Sequence, residues 1–188
     1  MTADAQETLA ISAEEIDNTI QRIAFEILEK HGSEPLLFVG IHTRGVTLAD
    51  RVAAVVRERN PKLRRGTIDI TLYRDDLDNL GTIPSVRDTE LPMDLDGARI
   101  ILFDDVLFTG RTIRAAINVI MDYGRPALIE LAVLVDRGRR ELPICPTWSG
   151  RRIETGPGEY ISVRFRDDDG DEGVYLLRPE ADGEEGDA

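Results

Sequence analysis

The chain of 188 residues is long enough for one domain with a well-buried core and short for two. Its net charge of −13 argues against broad, charge-driven binding to nucleic acids or anionic membranes. No apolar run approaches the ~20 residues that span a bilayer, and the N-terminus lacks a secretory signal pattern, so we expect a cytoplasmic protein without membrane contact. The single cysteine, Cys145, excludes an internal disulfide and is most simply a packing residue.

The N-terminal part of the chain predicts two helices around a buried strand. Residues 1–11 carry no periodic pattern and are expected to be a loose arm. Ser12 and Glu15 form a capping box ahead of isoleucines spaced three and four apart, which predicts an amphipathic helix ending at Gly32. Residues 36–41 have the pattern of a buried strand, and a second helix with apolar residues on one face follows residues 42–45.

Residues 66–73 alternate apolar and polar side chains and predict a half-buried strand. Residues 74–97 then contain Gly81, Pro84 and Pro92 with only short apolar runs. A connection of this length inside a compact domain is usually functional, and we expect a flexible lid that carries Arg74. The alternative is a disordered insertion.

The centre of the sequence is residues 100–112, where an apolar strand is followed by Asp104 and Asp105, a Thr/Gly-containing turn and a helical pattern. In an α/β sheet such a turn lies where ligands bind, and the helix start offers N–H groups to an anion. A turn for phosphate alone would not carry two carboxylates, because they repel phosphate. A sugar phosphate fits both features, since its hydroxyls donate to the aspartates while its phosphate lies at the turn.

Two other interpretations of this segment are weaker. Acidic residues also follow strands in Walker B sites, but the chain has no G-x-x-x-x-G-K-[ST] sequence to accompany one. A plain strand-to-helix turn explains one aspartate and a cap at Thr109, but it leaves the second aspartate unexplained.

The C-terminal part predicts one more buried strand and a hairpin. Residues 128–135 form the strand, which delivers a polar cluster at residues 136–140, and residues 142–150 look irregular. Residues 160–165 and 174–177 alternate around an acidic turn at 167–173, as in an antiparallel hairpin. Four predicted strands therefore end in polar loops that converge at one edge of a sheet, and this convergence is better evidence for a site than any one motif.

Residues 100–112 resemble the binding motif for phosphoribosyl pyrophosphate (PRPP) in type I phosphoribosyltransferases. Residues 69–77, 124–126 and 131–144 resemble the PyrR family of bacterial pyrimidine operon attenuation regulators, which have uracil phosphoribosyltransferase activity. The resemblance implies an α/β type I phosphoribosyltransferase fold, with a central parallel sheet flanked by helices, a small hood and a flexible loop. It implies one domain over residues 1–178, with the loop at 74–97 and the hood at about 136–160 plus the terminal hairpin. An acidic disordered tail is expected at 179–188.

The family resemblance implies that uracil and PRPP react to give UMP and pyrophosphate, with Mg²⁺ carried by PRPP near Asp104 and Asp105. It also implies a homodimer or homotetramer. Asp104, Asp105 and Arg137 are the implied catalytic residues, and Asp136 with Arg137 is implied to recognise the base and nucleotide. For Arg44 the alternative is a helix cap or a pair with a surface carboxylate. The implied PRPP-binding residues are Thr43, Arg44, Gly45, Arg74, Asp104, Asp105, Val106, Leu107, Phe108, Thr109, Gly110, Arg111 and Thr112.

Members of the PyrR family also bind the leader mRNA of pyrimidine operons when loaded with uridine nucleotides such as UMP or UTP. Several positions depart from the family pattern on the RNA face, namely Gln21, Phe25, Arg139 and Cys145. The enzyme interpretation is therefore firmer than the RNA interpretation. The alternatives are a UMP-sensing RNA-binding regulator with weak catalysis and a phosphoribosyltransferase for another base. The candidate RNA-contacting residues are Arg22, Arg139, Arg140, Arg151 and Arg152.

Overall fold

A computed structural model describes residues 6–70, 89–92 and 94–179 of the chain. Arg74, most of the predicted flexible loop and residues 180–188 of the predicted tail lie outside the described residues. Among the helices of the described part, none is long and apolar enough to cross a membrane. The division into one domain with a hood, a loop and a tail stays a prediction.

Five parallel strands form the central sheet in the order β3-β2-β4-β5-β6. Because the strands are parallel, the carboxyl ends of β2, β3, β4 and β5 lie at one edge, as the sequence predicted. Thr67 of β3 also pairs with Glu90, which brings the end of the long connection back to the sheet. The strands are β2 (Leu37–Ile41), β3 (Arg64–Ile68), β4 (Arg99–Leu107), β5 (Leu128–Asp136) and β6 (Trp148–Arg152).

Helices cover both faces of this sheet. Helices α1 (Ala13–His31) and α2 (Arg44–Arg57) pack on the face that carries Phe38 and Phe103, and α3 (Arg111–Asp122) packs on the face that carries Val39 and Leu102. The predicted capping box of α1 is present, since Ser12 Oγ accepts the Glu15 N–H and the Glu15 carboxylate accepts the Ser12 N–H. Side chains from successive strand positions thus fill two separate cores, one on each side of the sheet.

A second, antiparallel sheet has the order β1-β8-β7. Its strands are β1 (Gln6–Ser12), β7 (Tyr160–Arg164) and β8 (Gly173–Arg178), and the short helix α4 (Arg166–Asp169) lies between β7 and β8. The predicted terminal hairpin is confirmed by the β7–β8 pairing. The prediction of a loose arm at residues 1–11 is wrong for residues 6–11, because β1 pairs with β8 and buries Ile11 in the core.

Three further details differ from the predictions. Residues 148–150 of the segment predicted as irregular are the first part of β6, which pairs with β5 at the sheet edge. Strand β4 does not end before the aspartates but continues through them to Leu107. The side chain of Cys145 is exposed, so it is not the packing residue that we expected.

Candidate active site

Asp104 and Asp105 lie near the carboxyl end of β4, between the neighbouring strands β2 and β5. The Asp105 N–H donates to Asp104 Oδ1 at 3.1 Å, so the two residues are held against each other. Burial raises the pKa of Asp104, and the charge of Asp105 raises it further. Burial also raises the pKa of Asp105, whereas Arg44 opposes the effect. The site therefore holds two desolvated carboxylates whose ionised forms are costly until a ligand offers donors or positive charge.

The turn after β4 leads directly into the N-terminus of α3. Gly110 is the residue before the helix and has a φ of 94°, a left-handed conformation that glycine adopts without strain. Thr109 Oγ1 accepts the Arg111 N–H at 3.4 Å. Val106 and Leu107, in contrast, pair with Val135 and Asp136 inside the sheet. Of the residues predicted to bind the 5′-phosphate, Val106 and Leu107 thus lie in β4, whereas Phe108, Thr109 and Gly110 form the turn before α3.

The start of α2 lies against the same acidic pair. A Cβ atom at Gly45 would lie 2.5 Å from the Phe103 carbonyl oxygen and 3.2 Å from Asp104 Cα, so only glycine permits this approach. Thr43 precedes the helix, and the peptide bond between His42 and Thr43 is cis. Gly45 thus lies against Asp104, and the charge of Arg44 acts on Asp105, although the two segments are about 60 residues apart in the chain.

Arg44 pairs with Asp169 of α4, as the alternative interpretation of this arginine had anticipated. Its Nη2 lies 2.7 Å from Asp169 Oδ1 and its Nε lies 3.2 Å from Asp169 Oδ2. The hydrogen bond to Asp169 raises the pKa of Arg44, and the charge of Asp105 acts in the same direction. Arg44 is therefore within electrostatic reach of both Asp105 and the connection between β7 and β8.

Asp136 is the last residue of β5, and Arg137 directly follows it. The Arg137 guanidinium lies 4.0 Å above the Phe108 ring and donates to Thr155 Oγ1 at 2.8 Å and to the Glu159 carbonyl at 2.9 Å. Burial lowers the pKa of Arg137, which stays in the range of a charged guanidinium. Sequence reasoning missed Thr155, because nothing in its local sequence marks it as a partner of Arg137.

A cavity of about 250 Å³ opens beside Arg137. Its wall contains three arginines, one carboxylate and one hydroxyl. The cavity adjoins the turn after β4, because Arg137 in its wall contacts Phe108 of that turn. The lining residues are Arg137, Gly138, Arg139, Arg152, Glu154 and Thr155.

Comparisons with known proteins agree with this geometry. The family of the phosphoribosyl transferase domain matches residues 12–167. A protein of Deinococcus radiodurans named "Bifunctional protein PyrR" is 46% identical over 178 residues, which cover 94% of this chain and 97% of that protein. The protein of the same name from Chloroflexus aurantiacus is 49% identical over 173 residues, covering 91% and 95%. The chain belongs to the PyrR family of phosphoribosyltransferases. These matches confirm the family that the resemblance implied, and with it the class of enzyme, a phosphoribosyltransferase.

Solved structures show the same fold outside the PyrR family. A ternary substrates complex of hypoxanthine phosphoribosyltransferase from Trypanosoma cruzi superposes with a TM-score of 0.72 at 19% identity, covering 95% of this chain and 97% of that one. A hypoxanthine-guanine phosphoribosyltransferase from Bacillus anthracis gives a TM-score of 0.70 at 16% identity, with 90% and 97% covered. This likeness confirms the predicted type I phosphoribosyltransferase fold and carries no argument about the base.

The five arginines proposed for RNA contact are not equivalent in this PyrR family member. Arg139 is exposed, and Arg152 forms a surface ion pair with Glu154 at 2.8 Å, in which both side chains are mostly exposed. Arg22 donates hydrogen bonds to the carbonyl oxygens of Ser149 and Gly150 in β6. Arg151 donates to the Ala10 carbonyl and pairs with Glu15.

Arg140 is the arginine whose environment differs most from an RNA-contacting surface residue. Its guanidinium is half buried and pairs with Asp136 at 2.7 Å. It also donates to the carbonyl groups of Phe108, Gly138 and Ile144 at 2.9 to 3.0 Å. These bonds tie the loop after β5 to the turn after β4, so Arg140 holds the site together from inside.

Proposed function

We propose that the protein transfers the ribose 5-phosphate group of PRPP to uracil, giving UMP and pyrophosphate. The observation that carries this proposal is the position of the buried pair Asp104 and Asp105. On one side lies the start of α3, whose N–H groups can bind an anion, and on the other lies the start of α2, which Gly45 allows to come close. A sugar bearing hydroxyls, a 5′-phosphate and a diphosphate matches all three features at once.

In this proposal the two carboxylates accept hydrogen bonds from the ribose hydroxyls. The N–H groups and hydroxyls of Phe108, Thr109 and the first residues of α3 bind the 5′-phosphate, where the helix dipole also favours negative charge. Each charge-assisted hydrogen bond contributes about 1.5–3 kcal/mol, which offsets the desolvation that raises the pKa of Asp104.

The diphosphate is the leaving group, and its negative charge grows as the bond from C1 to oxygen breaks. Arg44 and the N–H groups at the start of α2 then stabilise this charge. The described residues contain no cluster of three or more potential metal ligands. Two carboxylates nonetheless suit an Mg²⁺ ion held mainly by PRPP oxygens and water. When bound with PRPP, Mg²⁺ neutralises part of the diphosphate charge.

The base is recognised in this proposal by Asp136 and Arg137. Arg137 is held in place by Phe108 and Thr155, so its orientation is fixed before a nucleotide arrives. Asp136 accepts the Gly138 N–H at 2.8 Å and pairs with Arg140 through the same Oδ1 atom. Its second oxygen can then accept an N–H from a base. The rigid arrangement supports selection of one base over others.

A turnover assay with Mg-PRPP and a panel of bases tests the proposal. We expect uracil to be converted to UMP with a kcat/KM at least tenfold above those of orotate, hypoxanthine and guanine. Conversion of a purine in preference to uracil would establish the alternative of a phosphoribosyltransferase for another base. We also propose that the protein is cytoplasmic. For its assembly we propose a homodimer or a homotetramer, which sedimentation measurements can distinguish.

We also propose that UMP or UTP bound at this site promotes binding of the leader mRNA of pyrimidine genes. The supporting observation is that Arg139 and Arg152 line the cavity beside Arg137 and are themselves exposed. A nucleotide in the cavity would therefore change the positions of side chains that can reach RNA phosphates. Filter binding of the leader RNA with and without UMP tests this second function. Binding that is weak and indifferent to UMP would leave an enzyme alone.

A further inference from the structure

One face of α2 pairs with the acidic connection between β7 and β8. Arg44, Thr47 and Arg51 are three and four residues apart, which places them in a row along the helix. Asp168 accepts the Thr47 hydroxyl at 2.6 Å, and Glu172 pairs with Arg51. The acidic residues lie in the predicted connection between β7 and β8, and three of them also hold side chains of α2.

The pair at the first turn of α2 has the most specific geometry. Asp169 receives both the Nε and the Nη2 donors of Arg44, so the carboxylate and the guanidinium meet edge to edge. Asp169 Oδ2 also accepts the Phe165 N–H at 3.0 Å. The carboxylate is thus anchored to its own backbone and fixes the plane of the arginine that it holds.

We propose that Asp169 is a positioning residue for the diphosphate, because it holds the Arg44 guanidinium with one edge occupied and the other donors available to PRPP. This inference rests on the proposed function, in which Arg44 contacts the diphosphate. A guanidinium has five N–H donors, and two of them serve Asp169. The remaining three can bind diphosphate oxygens without breaking the pair. A long side chain that is already ordered loses less entropy when it binds.

The pair of Arg51 and Glu172 provides a matched control within the same contact. It joins the same helix to the same connection, and Glu172 is as sheltered as Asp169, with side-chain exposures of 11% and 19%. Arg51 lies two turns from the start of α2 and pairs also with Asp17 of α1. Removing this pair breaks a link between the second sheet and α2 but leaves Arg44 in place.

The test compares Asp169→Asn with Glu172→Gln in the full chain. For Asp169→Asn we expect the KM for PRPP and the inhibition constant of Mg-pyrophosphate to rise together by about tenfold, with the KM for uracil unchanged within about twofold. Asp169→Glu should recover part of the loss, since it restores the charge. Glu172→Gln should leave all three constants near those of the wild type, even if its melting temperature falls as much.

A second comparison uses Arg44→Ala as the background. If Asp169 acts only through Arg44, then Asp169→Asn should add less than about twofold to the effect of Arg44→Ala, because the two residues act as a unit. Additive effects of the two changes would overturn the proposal, and so would wild-type constants for Asp169→Asn in an active enzyme.

Direct titration with Mg-pyrophosphate separates this inference from the proposed function. A wild-type protein that binds Mg-pyrophosphate but does not convert uracil would contradict the proposed function, while weaker binding by Asp169→Asn would still support the positioning role. A wild-type protein that does not bind Mg-pyrophosphate would overturn the positioning role as well.

Discussion

Two carboxylates that are buried to the same extent lie in opposite halves of neighbouring strands, three residue positions apart along the sheet. Glu130 lies near the start of β5 and Asp104 near the end of β4, and each is only 6% exposed. Glu130 Oε2 lies 2.7 Å from His31 Nε2, and its other oxygen pairs with Lys30. Asp104 instead lies against a second carboxylate, Asp105. Within the described part of the chain, no lysine or arginine forms an ion pair with Asp104.

The difference separates a carboxylate that serves the fold from one that serves a ligand. A buried charge with fixed partners is tolerated in the folded state, and removal of one partner leaves the others uncompensated. A buried charge without a cation makes the unliganded protein less stable and gains most when a ligand supplies donors. Substitution of one carboxylate at a time should therefore separate the effects on stability from the effects on activity.

The largest expected effect is on stability, at Glu130. Glu130→Ala should lower the free energy of unfolding by about 3 kcal/mol, because it leaves His31 buried without its partner and also creates a cavity. Denaturant unfolding measures this change. Glu34→Gln is the control, since Glu34 is a half-exposed partner of the same His31 at 3.8 Å and should change stability by less than about 1 kcal/mol. Equal effects of the two changes would contradict the structural role of Glu130.

The next effect is on catalysis, at the acidic pair. Asp104→Asn or Asp105→Asn should lower kcat/KM for PRPP at least tenfold, about 1.4 kcal/mol, because a neutral amide forms weaker bonds to the ribose hydroxyls. Steady-state kinetics with PRPP varied at saturating uracil measure the change. Glu130→Gln is the control, because it alters an equally buried carboxylate near the start of β5. It should leave kcat/KM within about twofold of wild type. Unchanged kinetics for both Asp104→Asn and Asp105→Asn would remove the pair from the site.

A smaller effect is the pH dependence of stability. Burial raises the folded-state pKa of Asp104 above its ordinary value of 3.8, so its ionised form destabilises the fold at neutral pH. This destabilisation shrinks as the pH falls through the raised pKa. Asp104→Asn should therefore be more stable than wild type at about pH 7, and the difference should vanish near about pH 4. Urea unfolding at a series of pH values measures it.

Asp169 should show the opposite sign in the same experiment. The hydrogen bond from Arg44 lowers the pKa of Asp169 below 3.8, so the ionised form stabilises the fold above that pH and loses this effect as the pH falls further. Asp169→Asn should then be less stable than wild type at about pH 7. The same sign for both variants would contradict the assigned environments.

The smallest expected effect concerns RNA binding. Arg139→Ala with Arg152→Ala should reduce the slope of log affinity against log salt by about 0.7 for each RNA phosphate that the protein no longer neutralises. Arg140→Ala should instead lower thermal stability, because Arg140 ties the two loops of the site together. Filter binding of leader RNA with UMP at several salt concentrations measures the slope. A slope that changes only with Arg140→Ala would show that the exposed arginines do not bind the RNA.

Local patterns were sufficient to predict α1, α2, α3 and the strands of the sheet's interior, but not the short helix α4, whose residues were expected in a turn. The capping box at Ser12 and the apolar strand before Asp104 carry their signals within a few residues. Strands β1 and β6 were missed because neither has the run of buried apolar residues that marks β2, β4 and β5. In the structure Gln6 pairs with Arg178, and Trp148 pairs with Ala132. No short sequence pattern encodes either pairing.

The site, too, was predictable only where its residues are neighbours in the sequence. Asp104 and Asp105 are adjacent in sequence, so their meeting needed no knowledge of the fold. The contact of Arg44 with Asp169 joins residues 125 positions apart, and the sequence shows only an acidic run there. Arg140 looked like a surface residue because a charged side chain is usually solvated. In the structure Asp136, Gly138 and Ile144 supply three acceptors, and Phe108 of the turn after β4 supplies a fourth.

The most direct test of the central claim is the melting temperature of wild type and Asp104→Asn, each with and without saturating Mg-PRPP. Without ligand we expect Asp104→Asn to melt at or above the wild-type temperature, because the variant no longer buries an unpaired charge. With Mg-PRPP we expect a clear rise for wild type and a much smaller one for the variant, since stabilisation by a ligand follows its affinity. A variant that melts below wild type without ligand and still gains the full rise would contradict the claim that this carboxylate serves the substrate and not the fold.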